Sequence, residues 1–225
     1  VKILKFILIL LCITTFLSIF IFNKEALACE ITPFMGFKET YPEIYADDSM
    51  KKTEQGNFIE LVQKAKKRVD EAFGKMSSNP RYIVSKNSTY WKFGFNPTGM
   101  ARSSLFRECV FIGPKGINID VIAHETAHAE VFHRANFFTK NFKMKPWLLE
   151  GSGTYVDYRH PLLLENINID SSKVNQVMEL SDFSPREIWA YQASRVAFEK
   201  IDPKKLYEGI DRLNSGESFD AVFAK

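Results

Sequence analysis

The sequence is poor in the residues that most cofactor and nucleic-acid signatures require. It has no C-x-x-C pair, no glycine-rich phosphate loop and no internal repeat. Its three cysteines have no ligand spacing with the histidines, which excludes them from a metal site. A formal net charge of +3 over 225 residues, with no basic block interleaved with aromatics, gives no case for a nucleic-acid partner. The remaining composition is ordinary: 45% hydrophobic and 25% charged, long enough for one domain with its own core. With 20 phenylalanines that core is expected to be aromatic-rich.

The N-terminus departs from this average. Lys2 and Lys5 precede an apolar run from Phe6 to Phe22, and Ala26-Leu27-Ala28 follows it. A basic start, an apolar stretch and an A-x-A site read as a signal peptide cleaved after Ala28. A permanent anchor and lipid attachment at Cys29 are the alternatives. All three send the following domain across a membrane, to a secreted or membrane-anchored, extracytoplasmic location. Cys29 and Cys109 would be free to pair in an oxidising compartment. Asn87-Ser88-Thr89 is a glycosylation sequon, meaningful only in a eukaryotic secretory pathway.

Of the four histidines, two stand in His124-Glu125-Thr126-Ala127-His128. At 100° per residue, His124 and His128 lie about 40° apart on one helical face, so both imidazoles can grip one zinc ion. Glu125 falls on the flank of that face, where it can act as general base toward water. Ile122, Ala123, Ala127, Val131 and Phe132 wrap the motif in apolar residues, which predicts a buried helix. His133 points about 160° away and is a poor ligand. Val131 and Arg134 stand where the metzincin extension needs glycine and histidine.

A hydrolytic zinc site usually takes three protein ligands. Glu150 is the best third candidate, on a second helix that starts at Pro146 and folds back beside the first. With Trp147-Leu148-Leu149-Glu150-Gly151, the chain resembles the gluzincin metallopeptidases (HExxH…E), and more closely the peptidase-MA-like group, whose second motif often reads W-x-x-E-G. The likeness runs roughly from Cys109 to Phe223, at motif level. It implies a zincin-like α+β fold, a Zn²⁺ ion on His124, His128 and Glu150, and hydrolysis of a peptide or protein substrate. Tyr191-Gln192-Ala193-Ser194 matches a Y-x-x-S-like helix of similar proteins. There the resemblance implies Tyr191 as donor to the tetrahedral oxyanion; packing of a helix face is its other reading. Thr154 stands where the thermolysin-like pattern has an aspartate that orients a zinc histidine. Thr154, Asp157 or Asn136 is expected to supply that support. The resemblance also implies that the strand Cys109–Ile112 lies at a sheet edge and pairs with extended substrate; an interior strand is its other reading. A zinc-stabilised binding or sensor domain without turnover is the competing function.

Along the chain, residues 1–28 read as the targeting segment, 29–56 as a loosely structured lead-in and 57–225 as the metallopeptidase domain. Apolar residues at 58, 61, 62, 65, 69 and 73 predict a helix. Strands are predicted at 81–85, 89–95 and 108–112, with Asn96–Gly99 as a turn. Helices are predicted near 119–133, 146–159, 173–180 and 185–200, with a C-terminal pair after Asp202. Ser184, Pro185 and Glu187 form the expected start of the helix at 185, and Ser218 a cap for the last one. Strands first and helices later give an α+β domain: a small N-terminal mixed or antiparallel sheet, then a helical half carrying the zinc site.

Overall fold

The computed structural model describes residues 24–87, 96–104, 106–176, 183 and 188–223, with Lys5 and Thr14. The class is α+β. Five strands, β1 (Lys38–Tyr41), β2 (Ile44–Ala46), β3 (Arg81–Val84), β4 (Gly99–Ser103) and β5 (Glu108–Ile112), form one mixed sheet in the order β1-β2-β3-β5-β4. The β2–β3 and β3–β5 pairs are parallel; the outer pairs are antiparallel.

Strand periodicity divides the core in two. Ile44, Ala46, Tyr82, Val84, Val110 and Ile112 face the larger helical layer, while Tyr45, Ile83, Cys109 and Phe111 face the other way. Against the first face pack α2 (Lys52–Phe73) and α3 (Ile119–Arg134). Helix α2 buries Phe58, Val62, Ala65, Val69 and Phe73, the stripe that its spacing predicts. Glu54 returns its carboxylate to the Lys51 N–H at 2.9 Å and starts the helix at 52 rather than 57. A short helix, α1 (Lys24–Ile31), covers the opposite face with Ala28 and Cys29. Helices α4 (Pro146–Tyr155), α5 (Ile188–Phe198), α6 (Leu206–Asn214) and α7 (Phe219–Phe223) complete the helical half. The Ser218 hydroxyl accepts from Ala221 N at 3.3 Å, as its capping role requires. Among the described residues no helix is long and apolar enough to cross a membrane.

Several expectations are corrected. Residues 29–56 are not a loose lead-in: they carry β1, β2 and the first turn of α2. Strands of four and three residues are too short to show a period, and their stability comes from neighbours distant in sequence. The expected turn at 96–99 leads directly into β4, whose sequence Gly-Met-Ala-Arg-Ser has little strand propensity of its own. Strand β5 is interior, with β3 on one side and β4 on the other, so it is not the edge. The edge is β4. The helix expected over 146–159 ends at Tyr155; of that expected over 173–180, the part through Gln176 belongs to a 3₁₀ segment, Ser171–Gln176, and 177–180 lie outside the described residues. The expected strand at 89–95 and the helix start at 184–187 lie outside the described residues.

Cys29 and Cys109 form a disulfide with a Cα–Cα distance of 6.0 Å, joining α1 to β5 across 80 residues of sequence. Removing a bridge around so long a loop costs about 2–5 kcal/mol. The Cys109→Ser variant is therefore expected to unfold at a clearly lower urea midpoint than the oxidised protein, and to match the wild-type chain in reductant. Equal midpoints for all three would show that the bridge contributes nothing.

Candidate metal centre

Helix α3 places the site. Asn118 Oδ1 accepts from Asp120 N (3.1 Å) and Val121 N (3.0 Å), which fixes the first turn of the helix. Thr126 bonds Tyr82 Oη of β3 at 3.0 Å inside the core and so sets the rotation of α3 on the sheet. That rotation turns His124 and His128 toward α4, with ring centroids 4.5 Å apart. Both are buried, as is Glu125.

Pro146 opens α4 as expected, and Glu150 comes up one turn later. Its Oε2 lies 3.3 Å from His124 Nε2 and 3.7 Å from His128 Nε2. Two donors each about 2.0–2.1 Å from one tetrahedral ion stand about 3.3–3.4 Å apart, a separation that the Glu150–His124 pair matches and the Glu150–His128 pair slightly exceeds. His128 Nε2 is buried with no hydrogen-bond partner, an orphan that an ion would satisfy. His124, Glu125 and His128 also lie within 4.8 Å of one another, which makes the choice of carboxylate ligand a geometric one. Glu150 is preferred because its Oε2 is close to both Nε2 atoms, whereas Glu125 Oε2 sits 3.6 Å from His128 Nδ1.

Asp157 supplies the support for His124. Its Oδ2 meets His124 Nδ1 at 3.2 Å, which turns Nε2 toward Glu150 Oε2, where an ion would sit between them. Of the other two candidates, Thr154 donates to its own helix at Glu150 O (2.8 Å), and Asn136 bonds Asn214. Asp157 is itself clamped by Arg159 Nε at 2.8 and 2.9 Å. Sequence could not select Asp157, because α4 ends at Tyr155 and the chain turns back before reaching it.

The charges agree with a cation site. Burial alone would raise the Asp157 carboxyl, but hydrogen bonds from His124 and Arg159 hold it well below the usual range. Glu150, also opposed by burial, is lowered by the two histidines. Burial disfavours the charged form of His124, yet Asp157, Glu150 and Glu125 push its pKa up to about 10. With no ion, a proton on His124 answers the three carboxylates; a metal ion would take its place.

Gly153 has a role that sequence inspection missed. A Cβ at this position would lie 2.6 Å from both His124 Nε2 and His128 Nε2. The missing side chain leaves the cradle in which the donors converge. Gly151 allows α5 to approach, since its Cβ would lie 2.9 Å from Ser194 O. Two glycines in one helix cost about 1 kcal/mol each against alanine, and that penalty was the available signal. In the Gly153→Ala protein the imidazoles must shift to admit the methyl, and divalent metal is expected to bind at least about tenfold more weakly. Titration calorimetry with the metal alone checks it, and unchanged affinity would place the ion elsewhere.

Tyr191 projects from α5 into the same space, its ring centroid 6.4 Å from that of His124. Its hydroxyl meets Phe183 O at 3.5 Å, too long for a strong bond. Burial, together with the charges of Glu150 and Glu125, raises its pKa, so it remains a protonated donor. His133 lies outside the site, on Glu108 Oε2 at 3.1 Å, and Arg195 pairs with Glu199. The donors line a cavity of about 210 Å³ that β4 bounds through Gly99, Met100, Ala101 and Arg102. A second cavity, of about 290 Å³, continues from it toward Pro161 and Ile188. Comparison with protein-family models, curated proteins and solved structures finds no match for the chain.

Proposed function

We propose that the chain is a zinc-dependent peptidase, with a zincin-like arrangement of sheet and helices. The observation that carries this reading is the convergence of His124 Nε2, His128 Nε2 and Glu150 Oε2 on one buried point, with Glu125 beside it. Two imidazoles and a carboxylate are a donor set that suits zinc and leaves a position for substrate. When bound, zinc supplies a Lewis acid that polarises a carbonyl and acidifies water near neutral pH.

The chain's own groups do the rest. Asp157 holds His124 in the tautomer that presents Nε2. Glu125 takes the proton of the attacking water and returns a proton to the leaving amine. Tyr191 donates to the oxygen that gains charge at the scissile carbonyl. Strand β4, an edge among the described residues, receives an extended peptide by main-chain pairing, the part first assigned to 109–112. The Cys29–Cys109 bridge supports an extracytoplasmic place of action. The purified full chain is expected to carry about one zinc per molecule and to cleave an unstructured protein substrate. A chelator should stop cleavage and added zinc restore it. Protein that purifies without metal and is indifferent to zinc would end the proposal.

A further inference from the structure

The cleft is asymmetric in charge. Beyond the metal cavity it opens into a larger one of about 690 Å³, and the two share Arg102, Phe132 and Leu149 as walls. Three cations line this larger space: Arg102, Lys140 and Lys145. Lys145 is neutralised by Asp220 at 2.6 Å. Among the described residues the other two form no ion pair with a carboxylate, although the charge of Arg102 reaches Glu150 beside the histidines. Arg102 donates to Ala101 O at 3.0 Å and Lys140 to Ser103 Oγ at 2.7 Å, both uncharged acceptors. Glu108, the carboxylate whose field reaches Lys140, is engaged by His133 at 3.1 Å. Among the described residues, the charged walls of the second cavity besides His124 are Glu125 and Arg159, and Asp157 occupies Arg159.

A half-buried cation without a counter-ion is costly, and burial lowers the pKa of Lys140 accordingly. Two such cations around one cavity, backed by Phe132, Met144 and Leu149, form a receptor for an anion on an apolar stem. Position along the strand defines which part of the substrate reaches it. Gly99 lies against Glu125, its built Cβ 3.0 Å from Glu125 Cγ, and Ser103 lies about 13 Å further along β4 at about 3.3 Å per residue.

We infer that this cavity is a specificity subsite for a substrate carboxylate, within about three residues of the scissile bond on the side of Arg102 and Lys140. The carboxylate comes from an acidic side chain or from the free C-terminus of the peptide. The inference rests on the peptidase reading for the identity of its ligand, and the test separates the two. Fluorogenic peptides that differ only by Glu or Gln at each position flanking the cleavage site would be compared, each with a free and an amidated C-terminus. The full-length protein should prefer one carboxylate form by about tenfold or more in kcat/KM. A Glu/Gln preference assigns the side chain, and a free/amidated preference the terminus. Either ratio should fall toward one in Lys140→Gln and in Arg102→Gln, and invert toward Lys-containing peptides in Lys140→Glu. Cleavage with no carboxylate preference, or a preference untouched by these variants, overturns the subsite and leaves the peptidase standing. Should no peptide be cleaved, the same peptides carrying a fluorophore are tested for binding by anisotropy. A carboxylate preference in binding that Lys140→Gln removes supports the subsite, and equal binding of all peptides refutes it.

Discussion

The Glu125→Gln protein is expected to retain its metal and lose hydrolysis by about 10²–10⁴-fold, the usual contribution of a positioned general base. Glutamine fills the same volume, which matters because Glu125 is enclosed: it is buried on α3 and packed against Gly99 of β4. The substitution removes only the ability to accept a proton. It leaves His124, His128 and Glu150 in place, so zinc content measured by mass spectrometry should match the wild type while kcat falls. A contrasting loss is expected for Glu150→Ala, in which activity and metal disappear together, because the carboxylate beside both Nε2 atoms is removed. Full activity in a clean Glu125→Gln preparation would show that another group moves the proton.

The largest expected effect on stability is at Glu130, two residues beyond the second histidine. Its side chain is fully enclosed and accepts from Ser77 N (2.9 Å), Ser77 Oγ (3.0 Å), Ser78 N (2.8 Å) and Arg134 Nε (2.5 Å). Glu130→Ala leaves a guanidinium and two backbone N–H groups facing a void. Breaking a buried pair from one side costs about 3–5 kcal/mol. Urea unfolding should show it as a fall in midpoint at pH 7, and a loss under about 1 kcal/mol would mean that water replaces the carboxylate. The same contact predicts acid sensitivity. Burial would raise the Glu130 carboxyl, but the bonds from Ser78, Ser77 and Arg134 outweigh it and hold the pKa below the ordinary 4.5. A carboxyl lowered in the fold stabilises it fully above the unfolded value, and that contribution is lost as pH falls through the folded value. Between pH 6 and 3 the wild type should therefore lose stability more steeply than Glu130→Gln. Because Glu130 ties α3 to the turn after α2, its loss should also loosen the metal site and weaken zinc binding.

The elements of the site that were readable from sequence are those set by local geometry. Four residues between two histidines is one turn of helix, and that relation holds wherever the helix sits. Proline at the start of α4 and the spacing from Trp147 to Glu150 are of the same kind. So is the stripe along α2, although its first turn was missed because Glu54 caps it from within a polar run. Strands β1, β2 and β4 escaped notice for the converse reason. Each is three to five residues long, and β4 carries glycine, alanine and serine, so nothing local favours extension.

By itself, then, the sequence determined the chemistry on offer: two imidazoles on one helical face, a flanking carboxylate, and a second acid on the next helix. Only the tertiary structure decided how that chemistry is framed. It made β4 rather than β5 the exposed edge, chose Asp157 over Thr154 and Asn136 to hold His124, and set the bare Gly153 under both Nε2 atoms. It also set Arg102 and Lys140 on the wall of one cavity, neither in an ion pair among the described residues. The physical reason is the range of the interactions. Spacing within a helix is fixed by backbone hydrogen bonds four residues apart, whereas strand order and cross-chain contacts depend on the packing of segments tens of residues distant, which no local pattern encodes.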